Sequence, residues 1–335
     1  MSHIASMTKT NIIKARLILL ILLFFPLSGF ADYLGHEKAN AFIDDVVSKH
    51  QFDKGELQSL FAKAEKKDSI LEAISRPAEK RLEWSGYRKI FMTDDRIKRG
   101  KSFIETYQKD LMRAEQKFGV PIEIIAAIIG VETRYGSNKG SYRVIDALAT
   151  LAFDYPPRSK FFTSELEQAL LLSKEQGFDP LELKGSYAGA MGYGQFIPSS
   201  YRHYAVDFDG DGVVDILNNP VDAIGSVANY FAKHKWHTGE GVAFNLSSTD
   251  AAKHQKYISK KLKPAHTIGD LRASNIELPD QLKADIAAKL QPLLGESGDE
   301  LWLTLHNFYV ITRYNHSHLY AMAVFQLSEA LSNTL

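Results

Sequence analysis

The residue with the clearest potential for chemistry is a glutamate that directly follows an apolar segment. Residues 122–131 are apolar except for Glu123 and Gly130, and Glu132 comes next. If the segment is a buried helix, burial and the negative end of the helix dipole both disfavour the ionised carboxyl at Glu132. Such a group can hold a proton near neutral pH and act as a general acid. The alternative is a solvated glutamate at a helix end, or one that pairs with Arg134.

A second candidate segment is rich in glycine. Residues 185–201 have the sequence GSYAGAMGYGQFIPSSY, with four glycines among the first ten residues. Glycines let a backbone approach a ligand closely, Ser186 and Gln195 offer hydrogen bonds, and the tyrosines offer flat amphipathic faces. This combination suits a sugar polymer, and the segment lacks the spacing of a phosphate-binding P-loop or a dinucleotide fingerprint. A tight structural turn between helices is the alternative interpretation.

The third candidate segment is acidic. Residues 207–215, DFDGDGVVD, match the first nine positions of an EF-hand calcium loop, in which alternate oxygens around a glycine turn converge on one hard cation. Asn218 stands where the standard loop has its bidentate glutamate. We therefore expect either weaker calcium affinity or a longer loop that Asp222 closes. Without a metal, the clustered carboxylates would repel one another.

A mostly helical scaffold is predicted to position these residues. Asp53 begins a capping box ahead of an apolar helical periodicity, and a similar periodicity runs through 103–114. Gly119 predicts the end of that later helix, and Pro121 suits the first turn of the apolar helix that follows. Because this apolar helix has almost no polar face, we predict that other helices surround it.

The helical periodicity fades between residues 239 and 279, where we predict a small, partly β segment, and it returns at 281–294 and 320–331. These patterns divide the chain after its N-terminal segment into a helical domain at 32–105, a core with the acidic loop at 106–235, a partly β excursion at 236–280 and a second helical part at 281–335.

The N-terminal segment is typical of a secretory signal peptide. Residues 1–31 contain three basic and no acidic residues, then an apolar run at 17–30, and end with small residues around Ala31. The run is interrupted by Pro26 and is shorter than the roughly 20 residues that span a bilayer. We therefore expect cleavage after Ala31 and no stable membrane insertion afterwards; Met7 is an alternative start.

The composition excludes several classes of function. The 335 residues include 40 basic and 40 acidic side chains, and no run of lysine and arginine is longer than two, so we expect no nucleic-acid partner. The chain has no cysteine, which excludes disulfides, thiolate metal sites, a cysteine nucleophile and a cysteine-linked lipid. Any chemistry must use oxygen and nitrogen groups.

Four blocks in this order resemble a known family: GVETRYG at 130–136, the glycine-rich segment, DFDGDG leading into NPVDAIGSVANYF at 219–231, and NFYVITRYNHSHLYAMAVFQL at 307–327. The chain is similar to lytic murein transglycosylases of the B type, glycoside hydrolase family 103, in their soluble form. The resemblance implies a mainly α fold with a lysozyme-like core, a surrounding helical domain that completes a groove, and a small partly β subdomain. It also implies a peptidoglycan substrate and a soluble enzyme in a Gram-negative periplasm.

The resemblance further implies the residues of the site. Glu132 is the single catalytic carboxylate, with Ser186 and Gln195 near the reacting sugar. The implied groove residues are Tyr87, Tyr230, Tyr314, Asn315, Tyr320 and Arg158. The implied ligands of a structural calcium ion are Asp207, Asp209, Asp211, the Val213 carbonyl and Asp222, with Asn218 and Asp215 as alternatives for the last.

The resemblance implies a reaction without water. By resemblance, Glu132 protonates the glycosidic oxygen between N-acetylmuramic acid and N-acetylglucosamine, and then takes the proton of the muramyl C6 hydroxyl as a 1,6-anhydro ring closes. No cofactor is needed for this catalysis. One alternative is a hydrolytic muramidase with Asp146, Asp154 or Glu165 as second carboxylate. Another is a non-catalytic, calcium-stabilised murein-binding protein, and enzymes of cell-wall synthesis or hydrolysis remain open as partners.

Overall fold

The structure, a computed structural model, describes residues 33–76, 82–246 and 251–332. The predicted signal peptide at 1–31 lies outside the described residues. The described α-helices are α1 (Glu37–His50), α2 (Lys54–Phe61), α3 (Asp68–Ile74), α4 (Trp84–Phe91), α5 (Asp94–Thr106), α6 (Gln108–Phe118), α7 (Ile122–Thr133), α8 (Val144–Asp154), α9 (Ser159–Gln176), α10 (Pro198–Tyr204), α11 (Pro220–Lys233), α12 (Ile268–Arg272), α13 (His306–Tyr314) and α14 (His318–Ser332). The described strands are β1 (Tyr142–Arg143), β2 (Lys184–Gly185), β3 (Ala243–Asn245), β4 (His266–Thr267), β5 (Ala287–Gly295) and β6 (Gly298–Leu305).

Helix α7 lies at the centre of the helical body, as its apolar sequence predicts. Every residue from Ile124 to Val131 is buried, and the helix packs against α5, α6, α11 and α14. Gly119 ends α6 in the left-handed region, with φ of 73°. Pro121 precedes the first turn of α7 rather than lying in it, because its ψ of 144° is extended. The packing of α14 on α7 brings the end of the chain back to its middle.

The helical periodicity at 103–114 belongs to two helices rather than one. The break is at Tyr107, where φ is −111° and ψ is 23°, so α5 ends and α6 begins there. Both halves contribute buried residues, Phe103 from α5 and Leu111 from α6. Each of the two helices packs against α7.

The prediction of a helix at 281–294 is wrong. Residues 287–295 form β5 instead, in an antiparallel sheet with strand order β3-β6-β5-β4. Pro292 on β5 disfavours a helix because it lacks a backbone N–H, and on β5 it lies opposite Leu301. Gly298, with φ of 120°, begins β6 directly after the tight turn that follows β5. The partly β segment therefore extends beyond residue 280, and helical structure resumes only at His306.

The two faces of this sheet have different surroundings. Leu290 and Leu303 face a small separate core with Ile268 on α12. Leu293 and Trp302 belong to the main core of the helical body. The sheet therefore joins its own small core to the helices around α7.

Among the described helices, none combines the length and apolarity that crossing a bilayer requires.

Ile128→Ala should test the role of α7 in stability. Ile128 is completely buried; its truncation leaves a cavity, and we expect a loss of about 2–5 kcal/mol in the free energy of unfolding, measured by urea titration. Met112→Ala on α6 is the control, because Met112 is 56% exposed, and it should change that free energy by less than about 0.5 kcal/mol. Equal effects of the two substitutions would contradict the central role of α7.

Candidate active site

Glu132, in the first of the four sequence blocks, contacts a residue of the last block. It is half-buried in the last turn of α7, and its Oε1 accepts a hydrogen bond of 2.5 Å from the Tyr320 hydroxyl. Tyr320 belongs to the first turn of α14 and is buried. The packing of α14 on α7 thus places a hydroxyl donor on the carboxylate that the sequence singles out.

The chain leaves α7 through an unusual turn. Arg134 and Tyr135 both have positive φ, 51° and 58°. The Tyr135 ring lies against Gly130 and Gly100; a Cβ at Gly130 would be 2.5 Å from the Tyr135 hydroxyl oxygen. Glycine is therefore required there for the ring to fit and for the turn after Glu132 to close.

Thr133 connects this turn to the glycine-rich segment. Its hydroxyl lies 3.0 Å from the Tyr193 carbonyl, with geometry for donation, and accepts a hydrogen bond of 2.9 Å from the Gly136 amide. Thr133 was not predicted as a site residue from the sequence. Its position directly after Glu132 was the available signal, but the distant acceptor could not be inferred from spacing.

Two further tyrosines hold the opposite side of the site. The Tyr314 hydroxyl donates to the Gly194 carbonyl at 2.6 Å, and the Tyr230 hydroxyl donates to the Arg313 carbonyl at 2.6 Å. The rings of Tyr230 and Tyr314 are 4.7 Å apart, and those of Tyr314 and Tyr320 are nearly parallel at 6.5 Å. These contacts attach α13 to the glycine-rich segment and α11 to α13.

The environment keeps these phenols protonated. Burial raises the pKa of Tyr314 and of Tyr320 well above that of free tyrosine, and the negative charge of Glu132 raises both further. Burial also raises the pKa of Tyr230. Tyr320 therefore remains a hydrogen-bond donor to Glu132 across the physiological pH range.

Ser186 and Gln195, the two predicted site residues of the glycine-rich segment, shape their own loop. Ser186 Oγ accepts hydrogen bonds from the amides of Ala188 and Ala190, at 3.2 and 3.1 Å. Gln195 has φ of 50°, and its Nε2 donates to the Gly192 carbonyl at 3.0 Å and to a second carbonyl at 3.2 Å. Within the part of the chain that is described, the Gln195 amide oxygen has no protein donor, so it can accept a hydrogen bond from a ligand.

The second carbonyl that Gln195 contacts belongs to Lys139, which the sequence analysis also missed. The Lys139 ammonium donates to the Leu217 carbonyl at 2.6 Å and lies 4.8 Å from the centre of the Tyr193 ring. Lys139 therefore ties the glycine-rich segment to the end of the acidic loop. No local pattern marks it, because its three contacts lie far along the chain.

The remaining predicted groove residues differ in position. Tyr87 on α4 is buried and close enough to Tyr320 to affect its ionisation. Asn315 directly follows α13, and its carbonyl accepts a hydrogen bond of 2.7 Å from the Ser317 amide. Arg158 is exposed, with its guanidinium 4.3 Å from the Phe161 ring centre. Among the described contacts, none joins Arg158 to the cluster around Glu132.

The three carboxylates considered as second catalytic groups are engaged elsewhere. Asp146 is buried and accepts two hydrogen bonds from the Arg143 guanidinium, at 2.8 and 2.9 Å. Asp154 accepts hydrogen bonds from a tyrosine hydroxyl at 2.8 Å and a lysine ammonium at 2.9 Å. Glu165 accepts hydrogen bonds from the Ser199 amide and hydroxyl, at 3.0 and 2.7 Å. Each has a structural role apart from Glu132.

The acidic loop brings three carboxylates together. One carboxylate oxygen from each of Asp207, Asp209 and Asp211 lies within 4.8 Å of the other two. Amides of the loop support this arrangement, since Gly210 and Gly212 donate to Asp207 at 2.7 and 2.9 Å. Converging carboxylate oxygens on a glycine-containing loop fit a hard divalent cation such as calcium. Val213 is exposed, and its amide donates to Asp211 at 2.8 Å.

Asp222, the predicted last calcium ligand, is not among the three carboxylates that converge in this way. It is completely buried, and its carboxylate accepts hydrogen bonds from the amides of Phe208 at 2.7 Å, Asp209 at 3.4 Å and Asp215 at 2.7 Å. Asp222 thus holds the two arms of the loop together from inside.

The alternative last ligands have other partners as well. The Asp215 carboxylate accepts from the amides of Leu217 and Asn218, both at 2.9 Å, and from the Asn218 side chain at 3.3 Å. Asn219, which the sequence analysis did not consider, donates from Nδ2 to Asp209 at 2.7 Å, and its Oδ1 caps the first turn of α11. This hydrogen bond from Asn219 lowers the pKa of Asp209.

Comparisons with known proteins find a matching family and similar structures. Residues 35–329 match the family described as transglycosylase SLT domain. The membrane-bound lytic murein transglycosylase B of Escherichia coli K12 is 44% identical over 310 residues, which cover 90% of this chain and 84% of that protein. An X-ray structure of the catenated lytic transglycosylase SltB1 of Pseudomonas aeruginosa is 49% identical, with a TM-score of 0.85 over 90% of this chain and 99% of that one. The Escherichia coli lytic transglycosylase Slt35 in complex with calcium is 44% identical, with a TM-score of 0.81 over 90% of this chain and 95% of that one.

Tyr320→Phe should change the pH dependence of peptidoglycan cleavage. Removing a donor destabilises the ionised carboxylate, so Glu132 stays protonated to higher pH and the alkaline limb of the activity profile moves up. The lost hydrogen bond to a charged group should lower kcat by about 10–100-fold. Tyr309→Phe on α13 is the matched control, because no described contact involves its hydroxyl. A Tyr320→Phe profile that coincides with the control's would show that the hydrogen bond has no catalytic consequence.

Proposed function

This chain belongs to the transglycosylase SLT family and is a peptidoglycan-cleaving lytic transglycosylase with a mainly helical, lysozyme-like fold, and from this premise we propose that Glu132 is its single catalytic acid and base. The observation that carries the proposal is the hydrogen bond from Tyr320 to Glu132. It joins the first and last sequence blocks at one carboxylate, while Asp146, Asp154 and Glu165 have structural partners.

In the first step, the Glu132 carboxyl donates its proton to the glycosidic oxygen between N-acetylmuramic acid and N-acetylglucosamine, and the bond from the muramyl C1 to that oxygen breaks. The acetamido group of the same muramyl residue supports the positive charge at C1. In the second step, the C6 hydroxyl attacks C1 and gives its proton to the Glu132 carboxylate. Water is not consumed, so the product has a 1,6-anhydro end and the enzyme regains its starting protonation.

Tyr320 supports this double use of one carboxyl. Between the two steps Glu132 is negatively charged in a half-buried position, which is unfavourable without a hydrogen-bond donor. The Tyr320 hydroxyl supplies that donor, because its raised pKa keeps it protonated. Tyr320 therefore stabilises the intermediate charge state without itself exchanging a proton.

The neighbouring polar groups are proposed to bind the sugars. Gln195 offers an amide oxygen without a described protein partner, and Asn315 offers an amide side chain beside α14. Ser186 acts mainly by holding its loop, since its Oγ already accepts two backbone hydrogen bonds. Tyr87, Tyr230 and Tyr314 form supporting walls of the groove, and Arg158 contacts more distant parts of the strand.

The acidic loop is proposed to hold a structural calcium ion through Asp207, Asp209, Asp211 and the Val213 carbonyl. Support comes from the converging carboxylate oxygens and from the calcium complex of the Slt35 relative. Asp222 would act indirectly, by holding the loop backbone in place. The ion would neutralise the mutual repulsion of the three carboxylates.

The protein is proposed to act in the periplasm after removal of residues 1–31. Support comes from the charge and apolar pattern of that segment and from its murein substrate. The Escherichia coli relative is named as membrane-bound. This chain has no cysteine to carry a lipid, so free diffusion in the periplasm is the proposed state.

Glu132→Gln should abolish the release of soluble fragments from purified peptidoglycan, with a rate loss of about 10²–10⁴-fold because general acid–base catalysis is removed. Mass spectrometry should find wild-type fragments lighter by one water than the corresponding lysozyme fragments. The control is Glu123→Gln in the first turn of the same helix, which should keep both the rate and the products. Reducing-end fragments of full mass would contradict the anhydro-forming reaction, and undiminished release by Glu132→Gln would exclude Glu132 as the acid.

Removal of calcium should lower the melting temperature by several degrees. Calcium at a hundredfold excess over its Kd contributes about 2.7 kcal/mol to stability, and a chelator removes this contribution. Asp211→Asn should melt at the same temperature with and without calcium, whereas Asp280→Asn, an exposed control outside the loop, should keep the wild-type response. Identical melting curves of the wild type in calcium and in chelator would argue against the calcium site.

A further inference from the structure

A buried threonine hydroxyl lies next to the proposed catalytic carboxyl. Thr133 is the last residue of α7, it is only 1% exposed, and Glu132 directly precedes it. Its hydroxyl oxygen accepts a hydrogen bond of 2.9 Å from the Gly136 amide and lies 3.0 Å from the Tyr193 carbonyl oxygen, with geometry for donation. One side chain therefore joins the turn after α7 to the glycine-rich segment, although Thr133 and Tyr193 are 60 positions apart.

The turn after α7 has a backbone form that depends on such contacts. Arg134, Tyr135 and Gly136 have φ values of 51°, 58° and 84°, all in the left-handed region. Residues other than glycine seldom adopt this region and keep it only where the surrounding structure enforces it. Thr133 holds the turn from both ends, because its hydroxyl accepts the Gly136 amide and its carbonyl accepts the Asn138 amide at 2.9 Å.

The single hydrogen of the Thr133 hydroxyl has two carbonyl oxygens within reach. Besides the Tyr193 carbonyl, the Ile129 carbonyl, one turn back on α7, lies 3.1 Å from the hydroxyl oxygen. The Ile129 carbonyl also accepts the Tyr135 amide at 3.3 Å. Among the hydrogen bonds of the described residues, the one from Thr133 is the only one to the Tyr193 carbonyl. Donation to Tyr193 therefore gives a partner to an acceptor that otherwise has none in this part of the chain.

The Tyr193 carbonyl belongs to the part of the glycine-rich segment that carries Gln195. The next carbonyl along the chain, that of Gly194, accepts the Tyr314 hydroxyl at 2.6 Å, so two successive carbonyls are held from α7 and from α13. The Tyr193 ring also packs on Gly136, where a Cβ would lie 2.1 Å from a ring carbon. Gln195 follows directly and offers its amide oxygen to a ligand. The position of this oxygen relative to the end of α7 consequently depends on the Thr133 hydroxyl.

We propose that Thr133 is a positioning residue for the reaction: its hydroxyl fixes the end of α7 against the glycine-rich segment and so holds Glu132 in line with the sugar that Gln195 contacts. This inference rests on the proposed function of the Glu132 site. A general acid acts only within hydrogen-bond reach of the oxygen that it protonates, and a displacement of about 1 Å can slow a reaction by about 100-fold. Thr133 exchanges no proton itself and acts through Glu132 and Gln195.

Thr133→Val tests the proposal, because valine keeps the shape of the side chain and removes the hydroxyl. The substitution leaves the Gly136 amide and the Tyr193 carbonyl without their shared partner. We expect kcat for the release of anhydro fragments from glycan strands to fall about 10–100-fold, with KM within about threefold of the wild-type value, since the loss concerns alignment in the transition state. The assay is run well below the melting temperature of every variant.

Two further variants separate positioning from stability. Thr133→Ser keeps the hydroxyl and should keep kcat within about threefold of the wild-type value. Thr150→Val on α8 is the matched control, because Thr150 is completely buried and its hydroxyl likewise accepts a backbone amide, that of Lys67 at 3.1 Å. Both valine variants should melt at a lower temperature than the wild type, because each leaves a buried polar group without its partner. Only Thr133→Val should lose kcat.

Three results would overturn the proposal. Wild-type kcat in Thr133→Val would show that the hydroxyl contributes to stability alone, and an equal loss of kcat in both valine variants would have the same meaning. A loss in Thr133→Ser as large as that in Thr133→Val would show that the hydroxyl is not responsible. Thr133→Cys, whose thiol is a weaker hydrogen-bonding group, should have an intermediate kcat, which keeps the test informative if Thr133→Val folds poorly.

The proposed function is judged separately in the same assay. Release of anhydro fragments by the wild type, and its loss in Glu132→Gln, do not depend on Thr133. Full-mass reducing fragments from the wild type would overturn the proposed reaction. Wild-type kcat in Thr133→Val, with anhydro fragments still formed, would overturn only the positioning role of Thr133.

Discussion

The hydrogen bond between Tyr320 and Glu132 joins residues 188 positions apart, and much of the fold serves to bring them together. Glu132 can stand at the end of an apolar helix only because α7 is buried by its neighbours. Tyr320 reaches it only because α14 packs along α7. The carboxyl is therefore half-buried beside a donor that stabilises its charged form. The proposed use of one carboxyl as acid and then as base requires such a donor.

The polar groups of the site show how the fold limits the energetic disadvantage of burial. Three buried tyrosine hydroxyls of the site have an oxygen acceptor: Tyr314 the Gly194 carbonyl, Tyr230 the Arg313 carbonyl and Tyr320 the Glu132 carboxylate. These hydrogen bonds satisfy buried donors, and that of Tyr314 also attaches α13 to the glycine-rich segment. Side chains that are held in this way before a sugar binds lose less entropy on binding.

The acidic loop adds a second group of charges to this arrangement. Asp222 accepts hydrogen bonds from loop amides inside the protein. The carboxylates of half-buried Asp207 and exposed Asp209 and Asp211 converge on one another.

The sequence by itself determined those features of the structure that depend on residues close together along the chain. The burial of α7 follows from its apolar composition, the end of α6 from Gly119, and the convergence of Asp207, Asp209 and Asp211 from their alternation around Gly210. Four blocks in order were enough to indicate the family and to select Glu132. These features could be predicted because spacing along a helix or loop sets the relative positions of nearby side chains.

Only the tertiary structure decided which distant groups meet. The segment at 281–294 has apolar spacing that suits a helix, but pairing with β6 makes its second half a strand, and Pro292 was the local signal against the helix. The amide partners of buried Asp222 could not be inferred from its position in the sequence. The partners of Thr133 and Lys139 likewise lie far away along the chain. Local sequence patterns indicate which secondary structure a segment favours. Its hydrogen bonds, strand pairing and burial depend on residues that the fold brings together from elsewhere in the chain.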